Sequence, residues 1–304
     1  MKDILIINPH ASKGIRRFRE EKILEALSGA GIVPDVCRTE RPGHGTELAE
    51  DAAKNGADRV FIAGGDGSIN EAVNGLVNAR KQGFSGTALG FIPIGRGNDF
   101  CDALGIPKKL PQIAQILKQD HRMRCDIGAA GDGTFEHYFI NGSGFGIESA
   151  INFYASQSAI SGKLSYIYGI AKSIFNDLSV QDALIEIDGK EMRYPFVLFA
   201  AMNGRQEGGG FHLAPNYRLD DGLLDICMVG GNIPKPRLLL TIPHLSKGTL
   251  DYPGILSMQA SAIHVHLDED KKGLFSQVDG ETIIERGHDF YSKISPWKID
   301  IICP

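Results

Sequence analysis

The residues whose types and spacing most clearly suggest a chemical function form the sequence GGDGS at positions 64–68. This sequence lies between the apolar run Arg59–Ala63 and a segment with helical spacing. Glycine allows positive φ and lets the main chain approach a ligand closely. The following helix start offers N–H groups without intrahelical partners, and the positive end of its dipole attracts phosphate. A carboxylate in this turn, Asp66, would repel phosphate unless a cation lay between them. The pattern therefore predicts a site for a nucleotide phosphate with Mg²⁺, and the alternative is a tight turn with a solvated Asp66.

Three other segments place polar groups beside glycine turns. The sequence GRGND at positions 95–99 follows another apolar run, and Asn98 and Asp99 could bind a nucleotide, hold water on a metal, or cap a helix. The segment Asn8–Gly14 follows the first predicted strand and is similar to a phosphate-binding turn. The sequence DDGLLD at positions 220–225 could bind a divalent ion together with main-chain carbonyls, although such carboxylates are often simply exposed.

Two further patterns have structural interpretations. Asp279-Gly280 is the dipeptide typical of a type I′ β-hairpin, and on hairpin grounds alone the following Glu281 would be an ordinary strand residue. His264 and His266 alternate on one face of a predicted surface or edge strand, which gives little reason to expect a metal there.

The elements that must position these residues alternate between strand and helix over the first 126 residues. The predicted strands are Asp3–Asn8, Val33–Cys37, Arg59–Ala63 and Thr87–Ile94, and the predicted helices are Phe18–Leu27, Thr46–Lys54, Asn70–Lys81 and Pro111–Gln119. This alternation predicts a parallel sheet covered on both faces. The turns after Asn8, Gly64 and Ile94 should then meet in one crevice at the carboxyl ends of the strands.

The sequence pattern changes after Asp126, and most of the segments that follow are predicted to be strands. The predicted strands are Tyr138–Asn141, Ala183–Ile187, Phe196–Ala201, Leu224–Val229, Ile263–Leu267, Leu274–Val278 and Ile294–Ile302, with helices near Ile147–Ala155 and Leu164–Phe175. This order predicts a second, mostly antiparallel and β-rich domain.

Composition excludes several classes of protein. The 304 residues suffice for one large or two medium domains, and a net charge of −5 with dispersed basic residues gives no broad nucleic-acid surface. Five cysteines without a CxxC pair indicate a reducing compartment. The apolar runs are too short for a signal peptide or a membrane span of roughly 20 residues. We therefore expect a cytoplasmic protein whose contact with a membrane is peripheral.

Taken together, GGDGSINEAVNGL at 64–76 and GFIPIGRGNDFCDALGIP at 90–107 resemble the bacterial lipid kinases of the diacylglycerol kinase catalytic-domain family, in the diacylglycerol and sphingosine kinase superfamily. The resemblance continues through NGSGFG at 141–146, GKLSY at 162–166, DDGLLD and DGE, and covers nearly the whole chain. It implies an N-terminal α/β domain like that of phosphofructokinases and NAD kinases, formed by residues 1–126 and about 287–304. Residues 127–286 would form the β-rich lipid-binding domain.

The resemblance implies an ATP- and Mg²⁺-dependent kinase that transfers the γ-phosphoryl group to a lipid hydroxyl, with diacylglycerol giving phosphatidic acid as the expected reaction. Glu281 would be the general base, and Asp66 is the alternative base. Catalysis would then require a closed cleft, because the base and the phosphates lie on different domains. The residues expected to bind the nucleotide are Asn8, Pro9, Ser12, Thr39, Gly64, Gly65, Asp66, Gly67, Ser68, Asn70, Arg96, Asn98 and Asp99.

Two metal sites are also implied by the resemblance. Asp66, Asp99 and Asp126 would form a network of carboxylates, water and Mg²⁺. A second, structural ion would be held by Asp221 with the carbonyl oxygens of Arg218 and Leu223.

Three positions depart from the family pattern. Ser68 replaces the usual threonine but keeps a hydroxyl, and Ser12 stands where glycine is usual. Arg96 also replaces a threonine, so it either removes a hydroxyl contact or supplies a cation to a phosphate.

Several alternatives stay open. The lipid could be phosphatidylglycerol or a sphingoid base, and a homodimer is one possible oligomeric state. A non-catalytic nucleotide or lipid sensor on the same fold would explain Arg96, but the retained acidic residues argue against it. An NAD kinase would share GGDG but not the GNDF, DGLLD or DGE segments.

Overall fold

The computed structural model describes residues 1–11, 20–95, 97–158, 168–169, 172–173, 176–177, 180–208, 210–230, 237 and 239–304. The chain divides into two compact units, unit 1 with Met1–Ile127 and Pro296–Pro304, and unit 2 with Gly128–Ser295. Ser12, Arg96, the GKLSY motif and most of the predicted helix Leu164–Phe175 lie outside the described residues.

Unit 1 contains a parallel sheet and helices. Its strands are β1 (Asp3–Ile7), β2 (Asp35–Arg38), β3 (Arg59–Gly64) and β4 (Ala88–Pro93), and its helices are α1 (Glu20–Gly29), α2 (His44–Lys54), α3 (Asp66–Lys81), α4 (Asp99–Ala103) and α5 (Leu110–Gln119). The strands lie in the order β2-β1-β3-β4, all parallel, and Asp300 and Ile301 near the C-terminus pair in parallel with β4. The predicted parallel sheet is confirmed.

The helices of unit 1 form two packed pairs, because an apolar sheet needs cover on both faces. Helix α2 packs on α3, and α1 packs on α5. Because crossovers between parallel strands are right-handed as a rule, we expect these pairs on opposite faces of the sheet. The contact between α2 and α3 is close, since a Cβ on Gly75 would lie 2.3 Å from the carbonyl oxygen of Thr46.

Unit 2 is antiparallel and β-rich, as the sequence predicts. Its elements are β5 (Arg122–Gly131), β6 (Glu136–Phe139), β7 (Gly142–Gly146), α6 (Ile147–Ser156), β8 (Gln181–Ile187), β9 (Lys190–Met202), β10 (Leu224–Gly230), a 3₁₀ turn (Leu239–Thr241), α7 (Ile242–Lys247), β11 (Ile255–Ala260), β12 (Ala262–His266), β13 (Leu274–Val278), β14 (Glu281–Gly287) and β15 (Asp289–Ile302). Strands β5 and β15 contribute residues to both units.

The main sheet of unit 2 has the order β14-β13-β7-β9-β8-β12-β15, and each neighbouring pair is antiparallel. Strand β10 pairs with β9 and β11. The core below this sheet is rich in aromatic rings, including Phe145, Phe199 and Phe290.

Some elements differ from their prediction. Helix α3 begins at Asp66 rather than Asn70, and the glycine-rich segment Gly142–Gly146 is a fully buried strand. Strand β12, which carries His264 and His266, is paired on both sides and is not an edge strand. Both histidines hydrogen-bond Asp289. In the part of the chain that the structure describes, no helix is long and apolar enough to cross a membrane.

Candidate active site

The strand order of unit 1 creates a crevice between β1 and β3. From β1 the chain crosses to β2 on one side, whereas from β3 it crosses to β4 on the other. In open parallel sheets, ligands bind at the carboxyl ends of the strands where the order reverses in this way. Asn8 directly follows β1, and its N–H donates to Ala63 of β3 at 3.0 Å. The loop after β1 is thus joined to the end of β3 at the reversal point.

Polar residues from three strand ends gather at this crevice. The amide Nδ2 of Asn8 donates to Ser68 Oγ at 2.9 Å, which links the first loop to the GGDGS turn. The N–H of Thr39, the residue after β2, donates to the carbonyl of Ile7 at 2.9 Å, and its side chain is buried. Pro9 lies exposed beside Asn8. The structure therefore brings together four residues that the resemblance assigns to nucleotide binding.

The GGDGS turn and the turn after β4 pack main chain against main chain. The N–H groups of Ile94 and Gly95 donate to the carbonyl of Gly64 at 2.9 and 3.2 Å. A Cβ on Gly95 would lie 2.5 Å from the Cα of Gly65, and one on Gly65 would lie 3.1 Å from the Cα of Gly95. The first of these distances is closer than real Cβ atoms approach, and the second is tighter than most. We call this contact the glycine junction, and it explains why both turns carry glycine.

Helix α3 begins at the glycine junction without a side-chain cap. The helix spans 16 residues from Asp66, and its N-cap residue is Gly65, which has no side chain to accept the first N–H groups. Unpaired N–H groups at the positive end of a helix dipole bind phosphate. This start can therefore hold a phosphate group next to Asn8 and Ser68.

The carboxylate of Asp66 binds the start of the short helix α4. Asn98 N–H donates to its Oδ2 at 2.7 Å, and Phe100 N–H lies 3.4 Å from its Oδ1. Asn98 occupies the N-cap position of α4 with a φ of 59°, but its side chain bonds the main chain of Gly95 instead of capping the helix. Asp66 therefore holds the second glycine turn in place.

A second carboxylate lies near Asp66. A Cβ on Gly97 would lie 2.9 Å from Asp66 Oδ2 and 4.0 Å from Asp99 Oδ2, so both side chains border this glycine. Carboxylate oxygens and water are the ligands that Mg²⁺ prefers. The carboxylates of Asp66 and Asp99 are therefore suitable ligands for Mg²⁺.

Asp126 has a different environment from these two aspartates. It is fully buried on β5, and Lys298 Nζ lies 2.6 Å from its Oδ1. Over the described ranges, no three His, Cys, Asp or Glu side chains are arranged to hold a metal. An ion at this site would thus depend on Asp66, Asp99 and bound water.

The first turns of α3 also contain residues with structural contacts. Asn70 is buried, and its main-chain and side-chain oxygens accept from Asn74 Nδ2 at 2.9 and 3.2 Å. Glu71, which sequence reasoning did not single out, accepts from the N–H groups of Gly43 and Gly45 at 2.8 Å each. Glu71 therefore binds the start of α2. The sequence around Glu71 gives no sign of this contact, because its partners are distant along the chain.

In unit 2, the DGE segment forms the hairpin between β13 and β14. Asp279 and Gly280 have φ values of 46° and 86°, as a type I′ turn requires. The buried Asp279 carboxylate accepts from three consecutive N–H groups, those of Ile140 at 3.0 Å and of Asn141 and Gly142 at 2.9 Å each. Glu281 is the first residue of β14, and it is exposed.

The predicted structural ion site lies in the loop before β10. Asp221 Oδ1 accepts from Leu223 N–H at 3.1 Å, and Gly222 between them has a φ of 75°. Arg218 is exposed, with Nη2 3.4 Å from Asp220 Oδ1. Burial raises the pKa of Asp225, and the charge of Asp221 adds to this effect. The carboxylate of Asp221 thus lies beside the main chain of its own loop.

The sequence is similar to known protein families and to curated relatives. The diacylglycerol kinase catalytic domain profile matches residues 2–130, and the YegS C-terminal NAD kinase beta sandwich-like domain profile matches residues 143–303. A probable lipid kinase YegS-like of Chromohalobacter salexigens is 36% identical over 73% of this chain and 67% of its own length. The diacylglycerol kinase of Bacillus subtilis is 31% identical over 74% of this chain and 72% of its own length.

Solved structures share the fold. A putative diacylglycerol kinase from Bacillus anthracis superposes with a TM-score of 0.78 and 26% identity, covering 100% of this chain and 97% of that one. An NAD kinase from Archaeoglobus fulgidus in complex with ATP has a TM-score of 0.54 at 13% identity, covering 99% of this chain and 93% of that one. At this identity the second similarity concerns the fold alone.

Proposed function

The chain belongs to the family of kinases that carry the diacylglycerol kinase catalytic domain, and we propose that it transfers the γ-phosphoryl group of ATP to the hydroxyl group of a membrane lipid. The first candidate for that lipid is diacylglycerol, which would give phosphatidic acid. The observation that carries the proposal is the glycine junction at the start of α3, with Asn8 and Ser68 beside it. This arrangement suits the phosphates of a nucleotide.

Unit 1 supplies most of what phosphoryl transfer needs, namely positioning and charge neutralisation. We assign the N–H groups at the start of α3 to the phosphates, and the side chains of Asn8, Ser68 and Thr39 to the walls of the nucleotide site. Asp66 and Asp99 would hold Mg²⁺, which neutralises charge on the phosphates when bound. Asn98 fixes the Gly95 turn, so it acts on the nucleotide through the shape of the glycine junction.

We assign Glu281 as the general base that accepts the proton of the lipid hydroxyl. Its exposure at the start of β14 supports this role, because a base must reach the substrate. Asp66 is the alternative base, but its two oxygens already accept hydrogen bonds from Asn98 and Phe100. That environment suits holding a cation better than accepting a proton.

We assign unit 2 to lipid binding and propose a peripheral contact with the inner face of the membrane. Leu240 and Ile242 are 54% and 44% exposed, and the nearby Arg237 and Lys247 are also exposed. Apolar side chains flanked by basic ones bind the surface of anionic bilayers. The combination supports a substrate that is presented in a membrane.

The test is an assay with radiolabelled ATP, Mg²⁺ and mixed micelles that contain diacylglycerol, phosphatidylglycerol or a sphingoid base, with NAD as a separate substrate. Products are identified by mass spectrometry, and the Asp66→Asn variant serves as the control for contaminating kinases. We expect labelled phosphatidic acid. Labelling of another lipid alone would show that this lipid, and not diacylglycerol, is the substrate. Labelling of NAD without any lipid would overturn the proposal.

A further inference from the structure

Three buried polar side chains form a cluster in unit 2 that the proposed mechanism does not use. Glu148 lies in the first turn of α6, Glu207 lies in the segment after β9, and Gln277 lies on β13. They are 6%, 3% and 0% exposed, respectively. The amide Nε2 of Gln277 donates to Glu148 Oε1 at 3.2 Å and also to Glu207 Oε1. One amide group thus contacts two buried carboxyl groups.

This cluster is connected to the turn that carries Glu281. The other end of the same amide, Gln277 Oε1, accepts from Gly280 N–H at 2.7 Å. The carboxyl groups fix the orientation of the amide, because only its NH₂ end can donate to them. The carbonyl end must then face Gly280, the residue directly before Glu281. The two glutamates therefore control, through Gln277, the main chain from which Glu281 projects.

The charge of the cluster depends on Glu148. Burial raises the pKa of Glu148 to about 7, although hydrogen bonds from Gln277 and Asn152 oppose the shift. Glu148 forms no ion pair with lysine or arginine in the described part of the chain. Near neutral pH, Glu148 therefore gains or loses a proton next to a second carboxyl group, that of Glu207.

The other elements around the cluster bring few titratable groups. Strand β7 presents the main chain of Gly144, where a Cβ would lie 2.2 Å from Glu148 Oε2. In the turn, Asp279 is engaged by the three N–H groups described above. Beyond it lies His137, whose pKa is lowered by burial although the charge of Asp279 raises it. Glu148 thus changes its charge beside Gln277 near pH 7.

We propose that Glu148, Gln277 and Glu207 are positioning residues for Glu281, and that the ionised form of Glu148 is the form that holds the Gly280 turn in place. A carboxylate can only accept hydrogen bonds, so ionised Glu148 binds the NH₂ end of the Gln277 amide and leaves the carbonyl end facing Gly280. A protonated carboxyl group can also donate to the carbonyl end of the amide, so protonation removes the preference for one orientation and Gly280 loses its acceptor. The inference rests on the proposed role of Glu281 as the base.

The first experiment measures kcat against pH for the wild type and for Glu148→Gln. If the ionised form is the active one, wild-type kcat should be about tenfold higher at pH 8 than at pH 6, because the pKa of Glu148 is about 7. Glutamine is neutral at both values, so Glu148→Gln should lose most of this rise. Glu191→Gln is the matched control, because Glu191 is an exposed glutamate on β9 of the same unit. A rise in Glu148→Gln equal to that of the wild type would overturn the proposal.

The second experiment follows the Gly280 amide by NMR in protein labelled with ¹⁵N-glycine. This experiment does not depend on catalytic activity, and its main measurement uses the wild-type protein. We expect the Gly280 signal of the wild type to move as pH rises through about 7, and that of Glu148→Gln to stay constant. A wild-type signal that does not respond to pH over this range would overturn the proposal even if lipids are phosphorylated.

The Gln277→Leu variant separates positioning from nucleotide binding. It removes both hydrogen-bonding ends of the side chain, so kcat should fall by about tenfold or more, the range expected when a catalytic group is misplaced. The Kd for ATP should not change, because Gln277 belongs to unit 2. Absence of lipid phosphorylation by the wild type at every pH would count against the proposed function, and the Gly280 signal would still decide whether Glu148 controls the turn.

Discussion

The dipeptides Asp66-Gly67 and Asp279-Gly280 use the same two residue types in different ways. Each aspartate carboxylate binds main-chain N–H groups of a segment distant in sequence. Asp66 begins a helix, whereas Asp279 has a positive φ and forms a hairpin turn. Asp66 has Asp99 as a close acidic neighbour across Gly97, and Asp279 is surrounded by three N–H donors.

The difference separates a carboxylate suited to a ligand from one suited to folding. Two acidic side chains beside a helix start can act as ligands for a cation. The repulsion between the two carboxylates is offset when the cation binds. A buried carboxylate with three N–H donors has its charge compensated inside the protein. We therefore expect substitution of Asp66 to reduce turnover and substitution of Asp279 to reduce stability.

The largest expected effect is on turnover by Asp66→Asn. Asparagine keeps the size of the side chain but removes the charge that would hold Mg²⁺, so kcat should fall by about 10²–10³-fold, as for other losses of electrostatic stabilisation. The measurement is steady-state lipid phosphorylation at saturating ATP, with a melting curve to show that folding is preserved. Asp132→Asn is the matched control, because Asp132 also precedes glycine and bonds within its own turn, for example to Thr134.

Turnover by Asp66→Asn within a few-fold of the wild type would remove this residue from the mechanism. A large fall in both Asp66→Asn and Asp132→Asn would indicate a general sensitivity of the protein rather than a role of the glycine junction.

The next effect is on stability, in Asp279→Ala compared with Asp188→Ala. Both aspartates lie in Asp-Gly hairpin turns, with φ values of 46° and 47°. The main-chain strain of placing alanine at a positive φ is therefore common to both variants. Asp279→Ala leaves three buried N–H groups without their acceptor and should cost about 3 kcal/mol or more. Asp188→Ala should cost only about 1 kcal/mol, since the N–H groups of Ser261 and Ala262 can be hydrated at this exposed turn.

Chemical denaturation of the two variants measures this difference. Equal losses of unfolding free energy would show that the three N–H bonds of Asp279 contribute no more than those of an exposed turn.

Asp221-Gly222 gives the smallest expected effect. If Asp221 and neighbouring carbonyl oxygens hold an ion, millimolar Mg²⁺ or Ca²⁺ should stabilise the wild type by about 1 kcal/mol at a few times the Kd, and Asp221→Ala should lose this response. Melting curves with and without the ion provide the measurement, and identical shifts for both proteins would refute the site.

Much of the fold could be predicted because its signals are local. The apolar run before Gly64 and the helical spacing after it predict β3 and α3, and Asp279-Gly280 predicts the hairpin. The segment Gly142–Gly146 was not predicted as a strand, because glycine has a low β propensity and its pairing with β9 and β13 arises only in the folded sheet. The start of α3 was placed four residues late for a related reason, since the glycines that open it do not favour helix.

The site was predictable only where one short motif carries it. Asp66 is visible in GGDGS, but its partners Asn98 and Phe100 lie more than 30 residues away and no spacing rule connects them. Gln277 precedes the Asp279-Gly280 dipeptide by two residues, but neither it nor Glu148 and Glu207 signals the cluster in the sequence, because their contact depends on three separate elements of unit 2. Contacts of this kind become visible only in the tertiary structure.

The assignment of the base is the central claim about mechanism, and Glu281→Gln tests it most directly. The measurement pairs kcat for lipid phosphorylation with the Kd for ATP from calorimetry, for Glu281→Gln and Asp66→Asn side by side. Loss of a general base should lower kcat by roughly 10²–10⁴-fold, and the Kd for ATP should stay at its wild-type value because we assign the nucleotide to unit 1. Retention of most activity by Glu281→Gln, with Asp66→Asn inactive, would contradict this assignment and make Asp66 the base.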